Sequence, residues 1–259
     1  MCLLSSNIGE ALDGGGHSRV QPLPQPCPFV ARRHMNNDMT MKTGLASGQP
    51  DSERPLSAQR TIKFVLDEPE REENHGSFRQ DGYAVRRSVF DKQSLEIYST
   101  YALMLQANNH FRKLEGRTGF YDLYADPLME SILLHLQPVL ERATGISLLP
   151  TYSYLRIYEK GAALTKHTDR PACEISASLT IGYDAPEIWP LWLESNQQPR
   201  SVMLQAGDML LYRGRELPHW REQFTGRYWV QAFFHYVDAA GPLASYQFDG
   251  RAGIGVGTK

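Results

Sequence analysis

At 259 residues the chain is long enough for one domain with a well-buried core plus an extension. A hydrophobic content of 41%, a charged content of 22% and a net charge of −2 are ordinary for a soluble globular protein, and they give no basic footprint for nucleic acid. Three cysteines (Cys2, Cys27 and Cys173) with no CxxC imply neither a disulfide framework nor a zinc site. No apolar run is long enough for a membrane span and no secretory leader opens the chain, so a reducing, cytoplasmic setting is expected.

Residues 1–60 are rich in Gly, Ser, Pro, Asn and Gln, with too few periodic apolar positions to bury a core. Met35, Met39 and Met41 in this stretch are alternative starts, and the acidic run DEPEREE at 67–73 reads as a solvated linker. Residues 1–77 are therefore expected to be a disordered extension, 78–240 the folded domain and 241–259 a tail.

The domain is expected to open with a short strand over 82–87. Asp91 is an N-cap for a helix over 92–107, with Leu95, Tyr98, Ala102 and Leu105 on one face. A second helix is better marked. Asp126 caps it, Pro127 takes the first position, Met129, Ile132, Leu133, Leu136 and Leu140 form the apolar stripe, and Gly145 ends it. From residue 148 the texture changes to strands, over 152–158, 174–181, 189–193, 201–205, 208–212 and 227–237. Two helices followed by six or so short strands predict an α+β chain, mainly β, with an antiparallel barrel or sandwich and the helices packed outside it.

The chemistry concentrates in the strand region. The segment YLRIYEKGAALTKHTD (154–169) ends in a His-x-Asp pair, His167 and Asp169, and His219 follows in RELPHWR. Side chains at i and i+2 of an extended segment point the same way, so His167 and Asp169 can reach one ion. His219 must then arrive from a neighbouring strand; Pro218 fixes the backbone before it, and its place on a loop between strands favours a site. Two imidazoles and one carboxylate hold iron(II) on one face and leave positions open for substrates. Gly161 supplies a turn into this segment. Arg227 opens the aromatic strand RYWVQAFFHY, and an arginine at its mouth suits one end of a dicarboxylate. Gln231 and His235 share its face, and His235 reads as a structural, buried residue.

The segments LRIYEKGAALTKHTD (155–169), EISASLTI (174–181), GDMLLY (207–212), LPH (217–219) and GRYWVQAFFHY (226–236) together resemble the 2-oxoglutarate- and iron(II)-dependent oxygenases, in particular their prolyl-4-hydroxylase-like branch. The resemblance implies a double-stranded β-helix (a jelly roll, cupin-like) with supporting N-terminal helices, and His167, Asp169 and His219 as iron ligands. It places the family tyrosine that touches 2-oxoglutarate on Tyr158 and the basic anchor on Arg227. It further implies O2 as co-reactant, ascorbate as an ancillary reductant, and oxidative decarboxylation of 2-oxoglutarate coupled to hydroxylation of a protein side chain or a small amino-acid-like molecule.

This chain departs from the family in two places. Arg227 lies somewhat closer to the distal histidine than the usual anchor, which leaves Tyr228 and Gln231 as competing contacts. Thr180 stands where the family often has a second tyrosine. The presence of Asp169, where halogenating relatives carry a small residue, favours hydroxylation. A cupin-like barrel that binds metal or ligand without catalysis is the alternative. It would prefer a His-x-His pair with a glutamate soon after, and Asp169 occupies that middle position here.

Overall fold

The computed structural model describes residues 78–112 and 119–256. The expected N-terminal extension, its internal methionines and the acidic run lie outside the described residues. Three helices, α1 (Phe78–Asp81), α2 (Lys92–Ala107) and α3 (Pro127–Thr144), accompany ten strands: β1 (Tyr83–Arg86), β2 (Phe120–Tyr124), β3 (Leu148–Glu159), β4 (Leu164–His167), β5 (Ile175–Asp184), β6 (Leu191–Ser195), β7 (Gln198–Val202), β8 (Met209–Tyr212), β9 (His219–Arg221) and β10 (Tyr228–Asp238).

Both long helices have the caps their sequences require. The Asp91 carboxylate accepts from the Ser94 amide, and the Asp126 carboxylate accepts from the amides of Leu128 and Met129, which satisfies donors no helical carbonyl can reach. Gly145 ends α3 at φ +69°, a left-handed conformation that costs glycine least.

The strands form two antiparallel sheets, one in the order β1-β8-β5-β10-β3-β2 and the other β4-β9-β6-β7. The eight strands from β3 to β10 therefore pass back and forth between sheets as a double-stranded β-helix does, with the β6–β7 hairpin kept within the smaller sheet, while β1 and β2 extend the edges of the larger one. Alternation along the strands decides what each face does. Leu155 and Ile157 of β3, with Val230, Ala232, Phe234 and Tyr236 of β10, face outward into a core that includes Met129, Ile132, Leu133, Leu136 and Leu140 of α3. Their neighbours Tyr154, Arg156 and Tyr158, with Phe233 and His235, line the interior between the sheets. Trp229, Phe224, Trp189, Phe120 and Tyr158 pack together and close one end.

Three strands were not foreseen: β2, β4 and β9. The last two are three or four residues long and carry polar side chains toward the interior, so they show no apolar alternation. His219 thus sits on a strand rather than a loop. The expected tail differs more. Residues 244–250 form a kinked 3₁₀ turn, and the following Arg251 places a side chain 1% exposed against Glu130, also 1% exposed. A buried pair of that kind needs further partners to offset desolvation. Here Arg251 donates to the Thr151 carbonyl while Glu130 accepts from the Ser153 and Gly255 amides. The described residues after β10 are thus bound to α3 and β3. No helix among the described residues is long and apolar enough to cross a membrane.

Candidate active site

Residues on β3, β4, β9 and β10 meet in a cavity between the two sheets, lined at one end by His167, Asp169 and His219 and further in by Arg156, Tyr158 and Arg221. His167 and His219 face each other directly across the β4–β9 ladder, and their rings lie 4.3 Å apart. Asp169 follows just beyond the end of β4. Its amide donates to the Gly214 carbonyl, and a Cβ at Gly214 would run into the Asp169 carboxylate, so that turn has room only for glycine. The Asp169 Oδ1 lies 3.8 Å from Nε2 of His167 and 3.6 Å from Nε2 of His219, and the three donor atoms fall within 4.8 Å of one another.

The donor set fits a divalent ion. Nδ1 of His167 meets the Thr165 carbonyl at 2.8 Å and Nδ1 of His219 meets the Leu217 carbonyl at 2.9 Å. A carbonyl only accepts, so each Nδ1 carries the proton and each Nε2 turns a lone pair toward the centre, the arrangement that fixes a metal-binding tautomer. Burial lowers the pKa of His167 to about 3 and of His219 to about 4, which keeps both neutral. Burial raises Asp169 to about 6, the cost of holding a carboxylate there without a cation in contact. Its second oxygen accepts from Ser176 Oγ at 3.0 Å, leaving Oδ1 free for single-point ligation.

Arg227 does not reach the cavity. Its side chain is 81% exposed and pairs with Asp184 at 3.4 Å. It has the inward parity of Trp229 and Gln231, but it precedes the first residue of β10. The aromatic cluster around Trp229 closes the barrel before it. Tyr228, the other alternative, packs on the outer core. Tyr158, by contrast, is fully buried and lines the cavity.

A cation without a carboxylate partner that does reach inward is Arg221, two residues after His219 and 3% exposed. It lies over the rings of Trp189, Trp229 and Tyr158 at 4.4, 5.3 and 5.9 Å, and burial lowers its pKa to about 10. Its hydrogen bonds go to the Trp189 carbonyl and to Oε1 of Gln231, each 3.3 Å, and no carboxylate among the described residues pairs with it. Gln231 already has its oxygen fully engaged. Its Oε1 also accepts from Trp229 Nε1 and Thr180 Oγ1, and its Nε2 donates to Ser178. Thr180 and Gln231 therefore stand behind Arg221. The second cavity arginine, Arg156, is ion-paired with Asp122 through Nε and approaches the Tyr158 hydroxyl at 3.4 Å.

Arg221 could have been found in the sequence. The i, i+2 rule that joins His167 to Asp169 also puts Arg221 on the same side of HWR as His219.

No family model and no curated protein matches the sequence. The fold does match solved structures. The epimerase SnoN, determined in complex with Fe3+, alpha ketoglutarate and nogalamycin RO, aligns at TM-score 0.57 and 16% identity, over 70% of this chain and 90% of that one. A Pseudomonas putida prolyl-4-hydroxylase aligns at TM-score 0.52 and 14% identity, over 62% and 95%. HygX from Streptomyces hygroscopicus, with nickel, 2-oxoglutarate and hygromycin B bound, aligns at TM-score 0.52 and 13% identity, over 63% and 85%. This chain has the double-stranded β-helix fold of those 2-oxoglutarate-dependent oxygenases.

Proposed function

We propose that this chain is an Fe(II)- and 2-oxoglutarate-dependent oxygenase, with His167, Asp169 and His219 holding the iron and Arg221, rather than Arg227, gripping the distal carboxylate of 2-oxoglutarate. The observation that carries this reading is a buried, carboxylate-free guanidinium in the same cavity as three converging ligand atoms. A buried cation of that kind is costly until an anion meets it, and a bidentate carboxylate is its best partner. The spacing suits a five-carbon diacid. His219 and Arg221 are two residues apart on one strand, roughly 7 Å at about 3.3 Å per residue.

When bound, iron and 2-oxoglutarate supply the oxidising power, with one oxygen atom of O2 going into succinate and the other into the substrate. The protein's own residues bind and orient. The two imidazoles and Oδ1 of Asp169 would hold the ion, a ligand set that leaves room for 2-oxoglutarate and O2. Arg221 holds the distal carboxylate with the Tyr158 hydroxyl as a second donor, while Gln231 and Thr180 fix the guanidinium from behind. Trp189, Phe224 and Trp229 close the inner end against water, which strengthens the charge pairing at Arg221.

The fold neighbours include enzymes crystallised with nogalamycin RO or hygromycin B, and a prolyl-4-hydroxylase. The substrate class is a small molecule or one inserted side chain, hydroxylated in the reducing interior of the cell. Succinate formation from 2-oxoglutarate, dependent on Fe(II) and O2, tests the reading. His167→Ala and His219→Ala are each expected to abolish stoichiometric metal uptake as well as turnover. Two remaining ligands seldom hold a divalent ion at micromolar levels. Full metal retention in both variants would refute the assignment.

A further inference from the structure

His235 on β10 lies beside Asp169, their ligand atoms within 4.8 Å, is 4% exposed, and lines the same cavity. The proton positions around it follow from chemistry. Asp169 must be a carboxylate to bind metal, so it only accepts, and the single Ser176 Oγ proton goes to it at 3.0 Å. The 3.3 Å approach of the same hydroxyl to the Cys173 carbonyl is longer and lacks a charge. Ser176 Oγ also meets His235 Nδ1 at 3.0 Å. With its proton already given, the hydroxyl accepts there, so Nδ1 of His235 is the donor.

A neutral imidazole protonated at Nδ1 presents a bare lone pair at Nε2. That atom has no hydrogen-bond partner among the described residues, and it is not among the buried side-chain atoms shut off from open space, so it opens to the cavity. Burial holds His235 well below the usual histidine range, at about 3, which keeps the acceptor available. Flat apolar walls flank it. The Phe233 ring lies parallel to the imidazole at 6.4 Å, and Tyr154, paired with Phe233 across the β3–β10 ladder, lines the cavity beside it.

We propose that Nε2 of His235 accepts a hydrogen bond from the primary substrate, and that this substrate is therefore a flat or ring-bearing molecule with a hydroxyl or N–H donor, seated along Tyr154 and Phe233. The inference rests on the oxygenase reading for the identity of the substrate end of the cavity. It makes His235 a specificity residue rather than a core filler.

The full chain is titrated calorimetrically with 2-naphthol and with 2-methoxynaphthalene, which differ in the donor, in the presence of Mn(II) and 2-oxoglutarate. The wild type is expected to prefer 2-naphthol by about tenfold, the upper range for one net hydrogen bond. His235→Phe removes the acceptor and should erase the preference while Mn(II) and 2-oxoglutarate affinities stay within about twofold. His235→Asn, whose amide reaches Ser176 but not the cavity, should erase it too. His235→Gln, whose longer amide reaches the cavity, should keep it. The proposal is overturned if the wild type shows no preference or takes up neither probe, or if the preference survives in His235→Phe and His235→Asn. Loss of Mn(II) in both would also overturn it, since His235 would then act only by bracing Asp169 through Ser176. Titrations without metal separate the two readings: a naphthol preference in a protein that binds neither Mn(II) nor 2-oxoglutarate would sink the oxygenase assignment and leave the role of His235 standing.

Discussion

The two ends of the cavity are built differently. At the metal end, His167 and His219 are opposite partners in one short ladder, and Asp169 follows two residues after the first of them. At the inner end, one guanidinium from β9 is positioned by Gln231 of β10 and Thr180 of β5, and is walled by the indoles of Trp189 and Trp229. The metal end needs little beyond a ladder and a glycine turn. The inner end needs three strands and a plug. Electrostatics differ in the same way. The metal end is a set of lone pairs kept neutral by burial, apart from one carboxylate. The inner end is a permanent cation whose protein contacts are a carbonyl and an amide. Each end is incomplete in the opposite sign, and a metal ion joined to a dicarboxylate satisfies both.

The most forceful way to break this comparison is to remove the inner cation. A partly buried charged contact contributes about 2–5 kcal/mol, so Arg221→Ala should raise the 2-oxoglutarate KM by roughly thirtyfold or more, at about 1.4 kcal/mol per tenfold. Metal affinity should hold, because Arg221 touches no ligand. Arg227→Ala should leave the KM within about twofold, its partner Asp184 being 53% exposed and solvent-screened. The reverse pattern, Arg227 sensitive and Arg221 silent, would return the anchor to the mouth of β10 and refute the two-ended description.

Acid probes the metal end alone. Asp169 must lose its proton to bind a cation, and burial raises its pKa to about 6. Metal affinity should therefore be steady above pH 6 and fall by about tenfold per pH unit below it, one proton competing per ion. The histidines act in the same direction but later. Their pKa values, lowered to about 3 and about 4, leave them unprotonated through that window. Metal-free stability carries mixed signs over the same range. Below the unfolded histidine value near pH 6.5 the unfolded chain takes up the imidazole protons first, so stability falls. Asp169 binds its proton more readily when folded and offsets part of that loss. Equilibrium metal titrations between pH 5 and pH 7 decide the matter, and a flat profile would mean that the carboxylate is not a ligand.

The convergence of His167, Asp169 and His219 was legible in the sequence for the reason that made it simple. A His-x-Asp pair is local, and i, i+2 geometry brings its side chains together in any extended segment. The helices were legible because both carry their own caps, Asp91 and Asp126, and α3 an unbroken stripe from Met129 to Leu140. The inner end was only partly so. Strand parity puts Arg221 on the side of His219, but Arg227 shares the inward parity of β10, and only the packing of Phe224, Trp189 and Trp229 leaves Arg227 outside. That packing is a tertiary fact with no local signature. The contacts of the segment after β10 were hidden for a related reason. Its apolar content is low, and it is held by the Arg251–Glu130 pair and by the bonds of Asp249 to Arg170 and Tyr124, partners far away in sequence. His235 looked like a core histidine because it lies in an aromatic strand; its cavity-facing nitrogen appears only once the proton on Ser176 is traced.

The mildest test separates a ligand contact from its support. Gln231 was expected to touch 2-oxoglutarate, yet its oxygen already accepts from Arg221, Trp229 and Thr180, and its nitrogen donates to Ser178. Gln231→Leu keeps the bulk and removes those bonds, so Arg221 loses one of its two protein acceptors while its charge remains. The 2-oxoglutarate KM should then rise by only about threefold to tenfold, on the order of one net hydrogen bond, well short of Arg221→Ala. In the double variant Arg221→Ala/Gln231→Leu the second change should add almost nothing, because residues that act through one another are not additive. Purely additive effects would mean that Gln231 contacts 2-oxoglutarate on its own account, and the inner end would then be a pair of direct contacts instead of a braced arginine.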